Sequence, residues 1–598
     1  MQPTVEILEK IYQNSSRNKD EIFTRLFRYM LRPDIYYVAY KNLYANSGAG
    51  TKGVDSDTAD GFSERKVANI IQQLENGTYQ PKPVRRTLID KGNGKKRPLG
   101  IPTFTDKLVQ EVLRMILESV FEPIFSRHSH GFRPKRSCHT ALTEIKKEFS
   151  VSRWFIEGDI KGCFDNIDHS VLVSVIGRKV KDARLIQLIW KFLKAGYMED
   201  WKYNKTFSGT PQGGIISPIL ANIYLNELDN FMEKLSEEFY KPAERKRTKE
   251  YDSARGKVDY IRKKLKKAGD EKKKELLQEL HEARKIMMSL PAKSQTNKGI
   301  KYIRYADDFL IGVCGDKQDC VQIKQKISDF ITNTLKMTLS EEKTLITHSN
   351  THARFLGYDV RVRRSNLIKR GNNHTKRTLN NTIELNIPLK DKIEAFLFRK
   401  NTVFQNTLGE LIPCKRKGML YLTDLEILTA YNSELRGICN YYSMASNFST
   451  LSYFAYLMEY SCLKTIAAKH KTQITKIIHK YAARSDKGKW GIPYQTKKGM
   501  CRSYFAKFME CKETKFCKDE IPTMTELFLG SRSSFESRLK AKECELCGTT
   551  ESENYDIHHV NKVKNLKGKA HWEVIMIARR RKTMVVCEDC HKEIHRPK

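Results

Sequence analysis

No apolar run in the 598-residue sequence approaches the length needed to span a bilayer, which sets aside a helical integral membrane protein. The N-terminal segment Met1-Gln2-Pro3-Thr4-Val5-Glu6 is polar and has no basic region followed by an apolar stretch, so no secretory signal is expected there. Internal repeats and low-complexity tracts are missing as well, which excludes a solenoid. Acidic residues are scarce beside basic ones: 70 Asp and Glu face 108 Lys and Arg, leaving a net charge of +38 spread along the chain. Such a surface calls for a polyanion, with nucleic acid ahead of a ribosome-associated or membrane-surface role. Ten of the 14 cysteines lie without pattern between Cys138 and Cys517, as in a reducing compartment, and the last four form two Cys-x-x-Cys pairs. A soluble intracellular protein of three to five domains is expected.

Residues 1–80 read as a helical extension, with apolar positions such as Leu26, Tyr29, Met30 and Tyr37 among basic residues. From Val84 to about Val362 strands and helices mix: Trp154-Phe155-Ile156 and Tyr302 to Val313 have a strand bias, whereas Asp106 to Phe125 has helical spacing. Within this α+β region, residues 232–290 become highly charged. Val258, Ile261 and Leu265, then Leu277, Leu280 and Met287, predict an inserted helical hairpin, either a solvated spacer or an RNA-gripping arm. Leu389 to Ile478 reads as mostly helical, and the stretch to about Leu539 as loop-rich, basic and aromatic.

The segment Tyr302-Ile303-Arg304-Tyr305-Ala306-Asp307-Asp308-Phe309-Leu310-Ile311 predicts a β-hairpin with two adjacent carboxylates at its turn. Like charges so placed must be solvated or neutralised by a cation. A third carboxylate, Asp159, ends the predicted strand Trp154-Phe155-Ile156-Glu157-Gly158-Asp159. Phosphoryl transfer to a 3′-hydroxyl uses two Mg2+ ions about 4 Å apart, which carboxylates from two strands can bridge. Asp159 and Asp307 are the bridging pair on this reading, Asp308 is a ligand or a local support, and Asp165 and Asp168 are capping or surface residues.

Tyr305-Ala306-Asp307-Asp308, with Asp159 followed five positions on by Phe164, resembles the catalytic motifs of reverse transcriptases. The Asp constellation alone would also fit an RNA-dependent RNA polymerase. The resemblance implies that Phe164 crowds the sugar 2′-position and selects dNTPs. It further implies that Lys91 and Arg97 hold the triphosphate and that Gln212, in Gly209-Thr210-Pro211-Gln212-Gly213-Gly214, helps form the nucleotide pocket. Lys343, in Ser340-Glu341-Glu342-Lys343-Thr344, falls near the pyrophosphate or on the surface, and Phe355-Leu356-Gly357-Tyr358 resembles a primer-gripping hairpin.

Arg97-Pro98-Leu99-Gly100-Ile101-Pro102, Ser129-His130-Gly131-Phe132-Arg133-Pro134 and Gly209-Thr210-Pro211-Gln212-Gly213-Gly214 are similar to the wording of bacterial group II intron-encoded proteins, and Tyr431-Asn432-Ser433-Glu434-Leu435-Arg436-Gly437-Ile438-Cys439-Asn440-Tyr441-Tyr442 resembles their maturase thumb. That resemblance implies a multidomain α+β fold: a right-hand polymerase with fingers, palm and helical thumb, and a C-terminal zinc-stapled ββα-metal module. The expected domains are 1–80, an N-terminal extension; 81–362, fingers and palm; 363–480, a maturase thumb; 481–540, a DNA-binding region; and 541–598, a nuclease. The implied partners are group II intron RNA, whose splicing the protein assists, target DNA and dNTPs, with no membrane and a bacterial cytoplasmic, RNA- or nucleoid-associated location. Oligomeric state is left open. The rival reading is a splicing cofactor that keeps the fold without catalysis.

Cys544-Glu545-Leu546-Cys547 and Cys587-Glu588-Asp589-Cys590 have the spacing of a four-thiolate structural Zn2+ site. Between and after them stand His558-His559 and, at i and i+4, His591 and His595. Three imidazoles around one divalent metal leave room for a phosphate, and a fourth can deprotonate water. The pattern resembles the HNH endonucleases, which implies that His558, His591 and His595 bind Mg2+ and that His559 is the general base. Where that family has an asparagine this chain has Arg581-Lys582-Thr583; Asn561 and Asn565 are the alternatives for its orienting role. A DNA-binding zinc ribbon without nuclease activity is the competing reading of the module.

Overall fold

The computed structural model describes residues 2–46, 48–90, 96–199, 202–206, 208–210, 213–242, 247–267, 269–290, 292, 298–365, 368–371, 374–377, 380–482, 490–496, 499–511 and 535–596. Its spine is the helix Phe104–Phe121, which starts at an N-cap where the Thr103 side chain accepts from Asp106 N and is buried along almost its whole length. The N-terminal helices Thr4–Arg17 and Pro33–Tyr44 pack on this spine. An outer sheet has the strand order Lys96–Ile101, Val84–Asp90, Tyr197–Glu199, Lys202–Asn204. The central sheet runs Gly299–Tyr305, Asp308–Cys314, Trp154–Asp159, Ile346–His348, antiparallel throughout. Its β-branched and aromatic side chains fill the core, and helix Ser217–Phe239 covers one face. Among the described residues, no helix is long and apolar enough to cross a membrane.

The charged insertion forms two helices, Lys249–Leu265 and Asp270–Ser289, with a small core of their own: Val258, Ile261, Leu280 and Ala283, joined by Leu276 and Met287. Two expectations change here. Leu277 is 51% exposed, because positions 276, 280, 283 and 287 form the apolar stripe and 277 falls one residue out of phase. Residues 232–239 belong to the preceding helix Ser217–Phe239, where Met232 and Leu235 are buried.

A second core gathers the sheet Ala353–Phe355, Tyr358–Arg363 and Thr382–Asn386 with the helices Asp424–Tyr441, Leu451–Lys469 and Ile474–Tyr481. A capping box between Thr423 and Glu426 starts the first of these helices. The hairpin Gly491–Thr496/Gly499–Tyr504 packs on it, with Asn432 donating to the Tyr504 carbonyl and accepting from Ala506 N. Residues 490–511 thus share the helical core instead of starting a body of their own, and residues 512–534 of the expected DNA-binding region lie outside the described residues.

The C-terminal module pairs Tyr555–His559 with Thr583–Cys587 and sets helices His571–Arg579 and Glu588–His595 beside them. A hairpin of two short strands is marginal alone. Here a third strand comes from the other end of the chain: Phe62 pairs with Ile557 and Ser63 with Asp556. Phe62 is fully buried and stacks on Tyr40 at 4.1 Å between ring centroids, and Tyr40 also meets Phe104 and Phe535. This aromatic cluster joins the module to the spine helix.

Candidate polymerase and nuclease sites

Asp159 ends one central strand and Asp308 begins its neighbour, and antiparallel register sets them directly opposite each other. Asp307 sits at the hairpin turn, where Ala306 has φ 57° and the Ile160 amide donates to the Asp307 carbonyl. The structure thus brings the three predicted carboxylates together. Enclosure in the cleft and the neighbouring Asp307 and Asp159 carboxylates push Asp308 up to about 7. Burial, then Asp159, also raises Asp307, while Arg97 and Lys343 pull it down. Lys343 Nζ donates to Asp159 Oδ2 at 2.8 Å from a side chain that is itself largely exposed, so it meets both of its expected descriptions. Three carboxylates crowded at one turn fit a bound cation chemically, since like charges there otherwise repel.

Phe164 lies in a short turn, Cys163–Asp165, just beyond Asp159, and its ring meets Phe132 edge-on at 6.0 Å. Phe132 has φ 57° and is 55% exposed. Its position beside Phe164 was not anticipated, although it directly follows Gly131 in a motif already singled out. Asp168 caps the helix His169–Lys179 by accepting from Val171 N, as expected. Arg97 stands on the outer strand Lys96–Ile101. Lys91 and Gln212 lie outside the described residues. Gly213 has φ +106°, and a Cβ there would fall 2.4 Å from the Gly100 carbonyl, so this glycine packs backbone to backbone against the outer sheet.

Sequence reasoning missed what holds the turn. Arg304 is fully buried and forms a bidentate pair with the equally buried Asp229, Nε to Oδ1 at 2.7 Å and Nη2 to Oδ2 at 2.6 Å. Its Nη1 donates to the Ala306 carbonyl at 2.9 Å, and Tyr302 donates to Asp229. Ser129-His130-Gly131 lies alongside: His130 N donates to the Arg304 carbonyl, and a Cβ on Gly131 would fall 2.3 Å from Ala306 N. The expected primer-gripping hairpin turns through Leu356 (φ 47°) and Gly357 (φ 71°). Both carbonyls accept from the helix motif, from Tyr441 OH at 2.5 Å and Tyr442 OH at 3.2 Å.

In the C-terminal module the sulfurs of Cys544, Cys547, Cys587 and Cys590 all lie within 4.8 Å of one another, and none is in a disulfide. Burial opposes ionisation of Cys544, but amides of Cys547, Cys587 and Leu546 outweigh it and bring the thiol down to about 7. Four converging thiols, one already predisposed to ionise, fit zinc.

His558, His591 and His595 also converge, with ring centroids 4.9 to 5.7 Å apart. Asp60, from the N-terminal extension, was not foreseen among them, since it is distant in sequence and precedes a strand of two residues. Its carboxylate lies 3.1 Å from His558 Nδ1, 3.4 Å from His591 Nε2 and 2.7 Å from His595 Nε2. His591 Nδ1 in turn meets Asp556 Oδ2 at 2.9 Å. Asp556 was missed too, although it lies two residues before His558 on the same strand face. Burial disfavours charge on His591, but Asp556 and Asp60 outweigh it and raise the ring to about 9. His558 is 3% exposed, and beyond the approach of Asp60 to Nδ1 its ring nitrogens have no hydrogen-bond partner among the described residues. A buried imidazole left so, beside two others and a carboxylate, suits metal ligation.

His559 lies outside this cluster. It is buried, its ring stands edge-on to Tyr44, and its Nε2 meets the Tyr44 carbonyl at 3.0 Å. Thr583 is its cross-strand partner, and Asn561 abuts Gly50. Asn565 lies in the turn Val563–Asn565.

Residues 89–240 and 275–360 match the reverse transcriptase (RNA-dependent DNA polymerase) family, residues 380–526 the type II intron maturase family, and residues 544–591 the AI2M/AI1M-like HNH endonuclease family. The chain is 59% identical over 596 residues to the group II intron-encoded protein LtrA of Lactococcus lactis subsp. cremoris, covering 99% of each. It is 32% identical to the putative COX1/OXI3 intron 1 protein of Saccharomyces cerevisiae, over 97% of this chain and 70% of that one. It is 33% identical to protein YkfC of Escherichia coli, over 57% of this chain and 84% of that one. The chain belongs to the group II intron-encoded proteins, with reverse transcriptase, maturase and HNH endonuclease domains in one polypeptide.

Proposed function

We propose that the protein binds a group II intron RNA, supports its splicing, and copies it into DNA at a target that its own nuclease has nicked. The observation that carries the polymerase half is the convergence of Asp159, Asp307 and Asp308 from two adjacent antiparallel strands, with Lys343 on Asp159. On this reading the central sheet is the palm, the outer sheet belongs to the fingers and the helices after Asp424 form the thumb. Asp159, Asp307 and Asp308 would hold Mg2+, which supplies Lewis acidity to the attacking hydroxyl and the leaving pyrophosphate. Arg97, Lys343 and, from the stretch outside the described residues, Lys91 orient the triphosphate by charge. Phe164, backed by Phe132, presses on the sugar face, and Gln212 completes the pocket. The primer terminus rests on the hairpin at Leu356 and Gly357, held by Tyr441 and Tyr442.

Cys544, Cys547, Cys587 and Cys590 would hold structural Zn2+. His558, His591 and His595 would hold the nuclease Mg2+, with Asp556 fixing the His591 ring. His559 takes a proton from water through Nδ1 once the module opens onto DNA. RNA and DNA are gripped by a net charge of +38, and binding should weaken steeply with salt. Primer extension on an RNA template tests the reading: Asp307→Ala and Asp308→Ala should each abolish it. Undiminished extension by both variants would leave the splicing-cofactor reading.

A further inference from the structure

We propose that Asp60 is the fourth ligand of the nuclease metal centre, supplied by the N-terminal extension, and that it closes the position a scissile phosphate needs. The inference rests on the reading of His558, His591 and His595 as metal ligands. The ligand atoms of these four residues lie within 4.8 Å of one another, a separation that a single ion can span. Three imidazoles and one carboxylate are a full set for a four-coordinate ion of the zinc or cobalt kind, which imidazole ligands suit better than the octahedral Mg2+. A metal site with four protein ligands is a resting or structural site, whereas a catalytic one keeps a position free.

Asp60 is held where it is by more than its charge. The Gly61 amide donates to the Ile557 carbonyl, Phe62 and Ser63 pair with the strand that carries His558, and the His559 amide donates to Asp60 Oδ1 at 2.7 Å. His558 Nδ1, His591 Nε2 and the His559 amide all face its carboxylate, at 3.1, 3.4 and 2.7 Å. The same segment covers the general base: the Tyr44 carbonyl meets His559 Nε2, and Lys582 donates to the Ala45 carbonyl. Ligand and cover therefore come from one stretch, residues 44–63, and leave together if the two-residue strand Phe62–Ser63 unpairs. Two residues of pairing make a short ladder, and it is the weakest part of the three-stranded sheet.

The test uses the full-length, zinc-loaded protein free of RNA. Co2+ is titrated in and followed by visible absorption, where tetrahedral coordination absorbs far more strongly than the six-coordinate sites favoured by carboxylates. Nicking of duplex DNA is assayed in parallel. Asp60→Asn should weaken Co2+ binding by about tenfold or more and diminish the tetrahedral bands, while raising RNA-free nicking by about tenfold. Asp60→Glu, which keeps the carboxylate, should restore tight Co2+ binding, and primer extension at the wild-type level reports that the variants are folded. Unchanged Co2+ binding in Asp60→Asn, or nicking lost along with the metal, overturns the proposal. His595→Ala separates the two layers. If it leaves the tetrahedral bands intact, the three-histidine reading itself is wrong; if it removes them while Asp60→Asn does not, only the role of Asp60 fails.

Discussion

Replacing Arg304 with methionine would test whether a buried ion pair sets the geometry of the catalytic turn. Arg304 and Asp229 are both 0% exposed, and the guanidinium also reaches the Ala306 carbonyl and Ser129 Oγ. Methionine fills much of the volume but leaves Asp229 charged, buried and bonded only to Tyr302. Removing one partner of such a pair typically costs about 3–5 kcal/mol, because the survivor stays desolvated without compensation. At about 2–4 °C per kcal/mol for a domain of this size, the polymerase core should melt roughly 6–20 °C lower. Calorimetry on the full chain reads that shift, and primer extension on the folded variant reads the turn. The double replacement Arg304→Met/Asp229→Leu removes both charges and should recover most of the melting temperature. It should not recover activity, since the Ala306 carbonyl, one residue before Asp307, still lacks its donor. A single variant melting within about 2 °C of the parent would refute the strut. A fully active double variant would refute its link to catalysis.

Gly131→Ala should act on the same turn from outside: its Cβ would fall 2.3 Å from the Ala306 amide, and backbone cannot rotate away. Primer extension should drop by about a hundredfold, the scale of a 1 Å misplacement, with RNA affinity retained; an active variant would show that the turn has slack. Asp424 offers a pH test. Burial disfavours its charge, but bonds from Lys469, Tyr481 and His470 outweigh this and lower it to about 2. A depressed carboxylate stabilises above its unfolded value and loses that contribution as pH falls, so the melting difference between the parent and Asp424→Asn should shrink from about pH 4 to about pH 2. After discounting for solvent screening, the difference at neutral pH should be about 1 kcal/mol, and a pH-independent gap would contradict the assignment. Cys544→Ser, or zinc chelation, should speed amide exchange across Tyr555–His559 and abolish nicking while primer extension persists; unchanged exchange would mean the four thiols hold no structural metal.

How much of this was legible in the sequence follows the distance over which each signal acts. The Asp307-Asp308 turn could be read because two carboxylates interrupt a run of apolar, β-branched residues, and both period and chemistry are local. The cysteine pairs were legible for the same reason, and so was the His591/His595 helix face. On the helix after Gly269, Leu280 and Met287 fell on the observed stripe and only Leu277 was chosen in place of Leu276, since two adjacent leucines offer no local signal of which one faces inward. Asp229 reads as an ordinary polar position on helix Ser217–Phe239, and nothing nearby in sequence marks it as the partner of Arg304. Asp60 was invisible for a further reason: its neighbours form a strand of two residues, too short for any periodic pattern.

That strand also bears on how the two sites are related. Tyr40, Phe62, Phe104 and Phe535 interlock, and they come from the N-terminal extension, the spine helix and the segment leading into the nuclease module. The spine helix in turn receives the Ile215 amide on Gln110, beside the Gly213 backbone that rests on the outer sheet. Residues 44–63 are thus linked, through Phe62 and Tyr40, to the helix whose Gln110 accepts from Ile215. Packed cores move between discrete arrangements and do not deform continuously, which is the condition for coupling along such a path. A protein that carries both a nuclease and a polymerase domain has reason to couple the two, and the N-terminal extension meets the histidine cluster directly and the Gln110 helix through Tyr40 and Phe62.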